Sequence, residues 1–176
     1  MKNFATFAVL LMLTSVAAGA DPNPDQAALG VKRAEVLKAN VQKFQLRLLH
    51  VGSSDKPYYN LHLSVPGVAV KGTSPFHLVT QINEAQALKI IDYLTESGAL
   101  ARASEKEVAA NLAMSYRMLI DAGDLQLVLS LGFDKKMLQT LDGLRAVLEK
   151  DAAKDMDTLL ARLAGHRRIW DAADNK

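Results

Sequence analysis

Two segments with alternating apolar residues limit the fold of this chain more than any other feature. The runs KFQLRLLHV (43–51) and YYNLHLSV (58–65) flank the turn-rich loop GSSDKP. Pairing them as a hairpin, with Val51 beside Tyr58, gathers the apolar residues of both runs on one face. That face holds Phe44, Leu46, Leu48, Tyr59, Leu61, Leu63 and Val65. A slip of one residue would send one set into water, so the sequence predicts the hairpin and its register.

The second half of the chain repeats this pattern. SYRMLID (115–121) and LQLVLSL (125–131) predict a second hairpin, with a tight turn at Ala122 and Gly123. Its apolar face would hold Tyr116, Met118, Ile120, Leu125, Leu127, Leu129 and Leu131. After a turn at Pro66 and Gly67, the run FHLVTQI (76–82) predicts one further strand.

Helix signals lie between and after these strands. An amphipathic helix is predicted from Ala27 to about Val41, on the spacing of Leu29, Val36, Leu37 and Val41. Asn83 and Gln86 form a capping box that begins the next helix, and Gly98 ends it. Ala87, Leu88, Ile91 and Leu94 form the apolar stripe of that helix.

Three more helices are predicted towards the C-terminus. Ser104 with Glu107 is a second capping box, for a short helix through about Ala113. Asp134 caps a helix whose stripe is Met137, Leu138, Leu141, Leu144, Val147 and Leu148. The last helix carries Met156, Leu159, Leu160 and Leu163.

These elements predict an α+β fold. The expected architecture is one two-layer domain, in which an antiparallel sheet of about five strands, two hairpins plus one strand, packs against helices that lie mostly on one face. Each half reads as strands followed by a helix. That order suggests an internal duplication, but the residues do not match well enough to establish one.

The N-terminus has the layout of a secretory signal peptide. Lys2 precedes an apolar run from about Phe4 to Ala18, and small residues then lead to a predicted cleavage near Ala20. The run is shorter than the roughly 20 residues that span a bilayer, and no comparable run follows, so no membrane span is expected after cleavage. The expected organisation is a signal peptide (1–20), a flexible leader (21–26) and one domain (27–176), secreted or periplasmic.

Composition excludes several classes of function. The chain has no cysteine, so it has neither disulfides nor a thiolate metal site, and packing alone must hold an exported domain together. The 21 basic and 19 acidic residues are interspersed, which argues against nucleic-acid binding. No glycine-rich phosphate motif occurs, and no cofactor is predicted. A bacterial exported protein fits these features best.

The motif GHRRIW (165–170) places a histidine and two arginines beside the only tryptophan. Trp170 lies seven residues beyond Leu163 and continues the buried stripe of the last helix. Arg167 precedes Asp171 by four residues, the spacing of a helical ion pair. A structural role therefore accounts for the motif, with an anion or partner contact by Arg167 and Arg168 as the alternative.

No catalytic or metal motif is complete. His62 and His77 would meet on the outer face of the sheet if their strands pair, but no HExxH spacing accompanies them. GTSPF (72–76) has Phe76 where the nucleophile elbow GxSxG requires glycine. A hydrolase would need a site assembled from distant residues, for which His62, His77 and an aspartate are the candidates.

The face of the first hairpin opposite the core mixes aromatic, aliphatic and hydrogen-bonding residues. It comprises Arg47, Leu49, Val51, Tyr58, Asn60 and His62. Such a mixture is common at partner surfaces, but it also suits a face covered by the helix from Ala27 to Val41, and the cover is the favoured interpretation.

The leading hypothesis is an exported non-enzymatic module that binds a protein or a cell-envelope component. Its candidate contacts are Arg47, Tyr58, His62, His77, Arg167 and Arg168. The small exported hydrolase and a subunit of a homo-oligomer are the alternatives.

Overall fold

The computed structural model describes residues 23–51, 60–68, 77–105, 115–132 and 135–173. At residues 50, 51, 60, 77, 115, 135 and 166–173 it describes the backbone alone. The strands are β1 (Gln45–Val51), β2 (Asn60–Ser64), β3 (His77–Gln81), β4 (Ser115–Ala122) and β5 (Leu125–Gly132). The helices are α1 (Pro24–Ala39), α2 (Glu84–Glu96), α3 (Ala99–Arg102), α4 (Lys135–Val147) and α5 (Lys150–Ala173). The predicted signal peptide lies outside the described residues.

The strands form one mixed sheet in the order β3-β2-β1-β4-β5. The first hairpin has the predicted register, with Leu46 paired with Leu63. The second has the predicted apolar face, with Met118 paired with Leu129, but its turn begins one residue later than predicted, because Ala122 still pairs with Leu125. The second hairpin turns at Gly123, whose φ of 63° suits a tight turn between twisted strands. An antiparallel pairing of β1 with β4 joins the two halves.

The expected all-antiparallel sheet is wrong in one place, because β3 runs parallel to β2. Twelve residues (65–76) separate the two strands. A parallel connection needs a crossover of about that length, whereas a hairpin uses two to five residues. The run FHLVTQI therefore forms a strand as predicted, and its separation from β2 is long enough to allow the parallel direction.

All five helices pack on the core face of the sheet, and the α+β fold is confirmed. One buried cluster unites the inward side chains of β1, β2, β4 and β5 with apolar residues of every helix. Phe44, Leu46, Leu61, Leu63, Met118 and Ile120 are among its fully buried members. No described helix is long and apolar enough to cross a membrane.

Helix α1 differs from its prediction in two ways. It begins at Pro24, so residues 24–26 of the expected leader form its first turn, with Asn23 as the N-cap and proline at the first helical position. It also packs against α2 and α3 on the core side, with Leu37 fully buried in the common cluster. The prediction that it covers the outer face of the hairpin is therefore wrong.

Some of the predicted helix caps are confirmed and one is wrong. Asn83 Oδ1 accepts the Gln86 N–H at 2.8 Å, and Gly98 follows α2 with a φ of 67°, both as predicted. Ser104 does not begin a helix in the described residues; its main chain bridges antiparallel to Val128, because two hydrogen bonds of 2.8 and 2.7 Å hold it at the edge of β5. Glu107, Ala113 and Asp134 lie outside the described residues.

Substitution of alanine for two helical glycines should have opposite effects on the free energy of unfolding. A Cβ at Gly143 would lie 2.6 Å from two ring carbons of Tyr93, whereas one at Gly165 would meet nothing within 4 Å. Gly143→Ala should therefore lower the free energy of unfolding by about 1–2 kcal/mol, as overpacking outweighs helix propensity. Gly165→Ala should raise it by about 0.5–1 kcal/mol.

Thermal or urea unfolding measures both changes, and the Tyr93 phenol gives a local readout. Its hydroxyl donates to the Thr140 carbonyl at 2.8 Å, and burial raises its pKa. Displacing the ring should return that pKa towards its ordinary value in Gly143→Ala but not in Gly165→Ala. Equal stabilisation by both alanines would contradict the packing of Tyr93 on Gly143.

Candidate functional site

The face of the sheet opposite the core carries an uninterrupted polar row. Cross-strand pairing places Gln81 of β3, Ser64 of β2, Gln45 of β1, Asp121 of β4 and Gln126 of β5 side by side. All five belong to the outward set, because their strand neighbours point into the core. The row crosses the sheet at the end where β2, β3 and β4 finish.

Two polar contacts connect this row to the next residues along the strands. Arg47 Nη2 donates to Asp121 Oδ2 at 2.6 Å, and 3.1 Å separates His62 Nε2 from Gln45 Oε1. His62 and Ser64 are each only 1% exposed and Asp121 is 5% exposed. The centre of the outer face is therefore a largely buried polar network.

Parts of this network lack a hydrogen-bonding partner. Ser64 Oγ and Arg47 Nε are buried and unpartnered in the described structure. An unsatisfied buried polar group costs about 1–3 kcal/mol, so such groups need a reason beyond stability. Because these groups lie in and beside the polar row, this end of the sheet is the candidate binding site.

Two open depressions flank Pro66 at the same end of the sheet. The first, of about 370 Å³, is lined by Gln42, Lys43, Gln45, Pro66, Gly67, Val68, Asp121, Gly123 and Gln126. The second, of about 290 Å³, is lined by Pro66, Thr80, Gln81, Ile82, Asn83, Gln86, Glu149, Lys150, Asp151 and Ala152. Both lie at the small end of ligand-binding pockets, which are usually larger and mostly apolar.

Five of the chain's seven glutamines line these depressions. They are Gln42, Gln45, Gln81, Gln86 and Gln126, and we call this region the glutamine end. Each primary amide offers both donors and an acceptor without a net charge. None of the described lining residues is aromatic, so this lining has no ring on which a sugar or a base could stack.

The charges at the glutamine end have both signs. Asp121 binds Arg47, and Lys89 Nζ lies 2.5 Å from Glu149 Oε1. The hydrogen bond from Lys89 lowers the pKa of Glu149. The lining therefore combines neutral amides with charges of both signs, since it also includes Lys43, Lys150 and Asp151.

The structure describes the positions of some of the predicted binding residues but not of others. Arg47 and His62 are cross-strand partners on the outer face, as the hairpin predicted. His77 pairs with Asn60 and so occupies a register position diagonal to His62, but its side chain is not described. Tyr58 and the side chains of Arg167 and Arg168 also lie outside the described residues; the backbone of α5 continues through Gly165 and both arginines.

The structure describes only some of the residues named for the catalytic alternative. His62 lines neither depression, and the aspartate on its face pairs with Arg47. Within the described residues, no three histidine or carboxylate side chains form a group that could hold a metal ion. GTSPF lies outside the described residues.

Sequence reasoning missed the residues that build the glutamine end. Gln45 and Ser64 have the outward parity of the predicted hairpin, so these two of the five residues in the row could be placed from the pattern. Gln126 and Asp121 join it only through the pairing of β1 with β4, and Gln81 only through the parallel pairing of β3.

Comparison of the chain with protein-family models, curated proteins and solved structures gave no match.

Proposed function

We propose that this protein is an exported, non-enzymatic binding module that docks a protein or another cell-envelope component at its glutamine end. The observation that carries the proposal is the convergence of five glutamines from distant parts of the chain on two neighbouring depressions. Neutral amides bind hydrogen-bonding ligands with little dependence on charge.

The N-terminal residues support export. The positive Lys2, the apolar run to Ala18 and the small residues before Asp21 form the pattern that export machinery recognises. The cysteine-free composition is compatible with an oxidising compartment because no thiol is at risk there. N-terminal sequencing of the exported protein should begin at Asp21.

The test uses two pairs of exposed glutamines. Gln42 and Gln126 line the larger depression and make no side-chain hydrogen bond in the described structure, whereas Gln26 and Gln139 lie on α1 and α4, away from both depressions. Full chains with a C-terminal tag are expressed, lightly cross-linked and purified from the exported fraction. Mass spectrometry then identifies what each variant retains.

We expect Gln42→Ala/Gln126→Ala to lose at least 90% of a partner that the unsubstituted protein captures and an unrelated exported protein does not. Gln26→Ala/Gln139→Ala should retain that partner. If both double variants retain it, or if no partner is captured, the glutamine end is not the docking site. Unchanged melting of both variants verifies that the fold is intact.

A further inference from the structure

The two edges of the sheet differ. At the β5 edge, Ser104 forms an antiparallel bridge with Val128. At the β3 edge, no further strand lies alongside in the described residues. An open edge presents main-chain donors and acceptors that another extended chain can pair with.

The direction of the β3 main chain shows which groups are available. The Ile82 N–H donates to the Ser64 carbonyl at 2.9 Å, so even-numbered residues of this segment face β2. Because successive residues alternate, the N–H and C=O of Val79 and Gln81 point away from the sheet. Both residues are exposed, Val79 by 45%, and these main-chain groups face no other strand in the described residues.

Strand β3 ends at the glutamine end. Gln81, Ile82 and Asn83, where the strand finishes, line the depression of about 290 Å³ together with Lys150 and Asp151 at the start of α5. A chain lying along β3 would thus place a residue in this depression. Val79, on the outer face, would contact an apolar side chain of the added strand.

We infer that β3 binds an extended segment of a partner polypeptide by strand addition, with a polar residue of that segment in the depression beside Gln81. This inference rests on the proposed function and names the class of its ligand. Main-chain hydrogen bonds would supply affinity, and the depression would supply specificity. A second copy of this chain fits less well, because a five-residue strand falls far short of the roughly 20–30 residues a side that stable interfaces use.

Proline at position 79 tests strand addition. Val79→Pro removes an outward N–H that pairs with no strand in the described residues, and proline is tolerated on the open side of an edge strand. Val79→Thr is the matched control, because it keeps both the main-chain donor and the β-branched side chain. Gln81→Pro removes the next outward N–H and serves as the second variant if Val79→Pro does not fold.

The probe is a heptapeptide selected from a random phage-displayed library on protein purified from cells that express the full chain. We expect the selected peptide to bind Val79→Pro at least tenfold more weakly, and Val79→Thr within twofold of the unsubstituted protein. Hydrogen exchange should show that the peptide protects the Val79 and Gln81 amides. Equal binding to Val79→Pro, or selection of no peptide, would overturn strand addition.

Two further results separate this inference from the proposed function. If Val79→Pro still captures the partner that Gln42→Ala/Gln126→Ala loses, docking at the glutamine end stands and strand addition is wrong. If sedimentation shows a dimer that Val79→Pro dissociates, the occupant of the edge is a second copy, and the inferred partner segment is rejected.

Discussion

Replacing Leu37 by alanine should lower the free energy of unfolding by about 3 kcal/mol. Leu37 is fully buried and anchors α1 in the common core, and truncation of a buried leucine typically costs 2–5 kcal/mol through lost burial and a residual cavity. Urea unfolding with an unchanged m-value measures the loss.

The adjacent Val36 provides the control. It is 41% exposed, although the sequence placed it on the same apolar stripe as Leu37. Val36→Ala should change stability by no more than about 0.5 kcal/mol, because little burial is lost and alanine is the better helix former. A larger cost for Val36→Ala than for Leu37→Ala would mean that α1 is rotated about its axis relative to this structure.

Arg33→Met should cost about 3 kcal/mol, although an arginine on an amphipathic helix is usually a surface residue. Arg33 is 8% exposed, and its Nη1 donates to the carbonyls of Leu100 and Ala103 at 2.8 and 2.9 Å. Nη2 lies 3.2 Å from Glu105. Methionine keeps the aliphatic packing but leaves two carbonyls without their donor, each at a cost of about 1–3 kcal/mol.

Arg102→Met is the matched control for that loss. Arg102 also donates to one carbonyl, that of Ser97 at 3.1 Å, but it is exposed and water can replace it. Its loss should cost no more than about 0.5 kcal/mol. Equal effects of the two substitutions on urea unfolding would show that Arg33 is not the buried link between α1 and the segment that follows α3.

Arg33 and Gly30 explain why α1 was harder to predict than the strands. Glycine has a low helix propensity, but a Cβ at Gly30 would lie 3.1 Å from Ala101 N, so the glycine permits the close approach of α3. A buried arginine and an interfacial glycine interrupt the apolar periodicity from which the face of a helix is predicted. The contacts of both residues with the neighbouring helix α3 explain why they occur in α1.

Strand register and helix caps, by contrast, depend on residues close in sequence. The alternation of Leu46 and Leu48 against Leu61 and Leu63 permits only one pairing that buries both sets, and Asn83 reaches a donor three residues away. These features were predicted correctly because each is decided within one hairpin or one helical turn.

Period-two patterns and capping residues act locally, and they were sufficient to predict the two hairpins, their core faces and an α+β domain. Only the folded structure shows the parallel orientation of β3, the pairing of β1 with β4 and the position of five glutamines at one end of the sheet. A twelve-residue connection leaves either strand direction open, and local patterns do not specify which strands of separate hairpins become neighbours. The candidate site depends on this long-range strand pairing, which is determined by burial of the whole core.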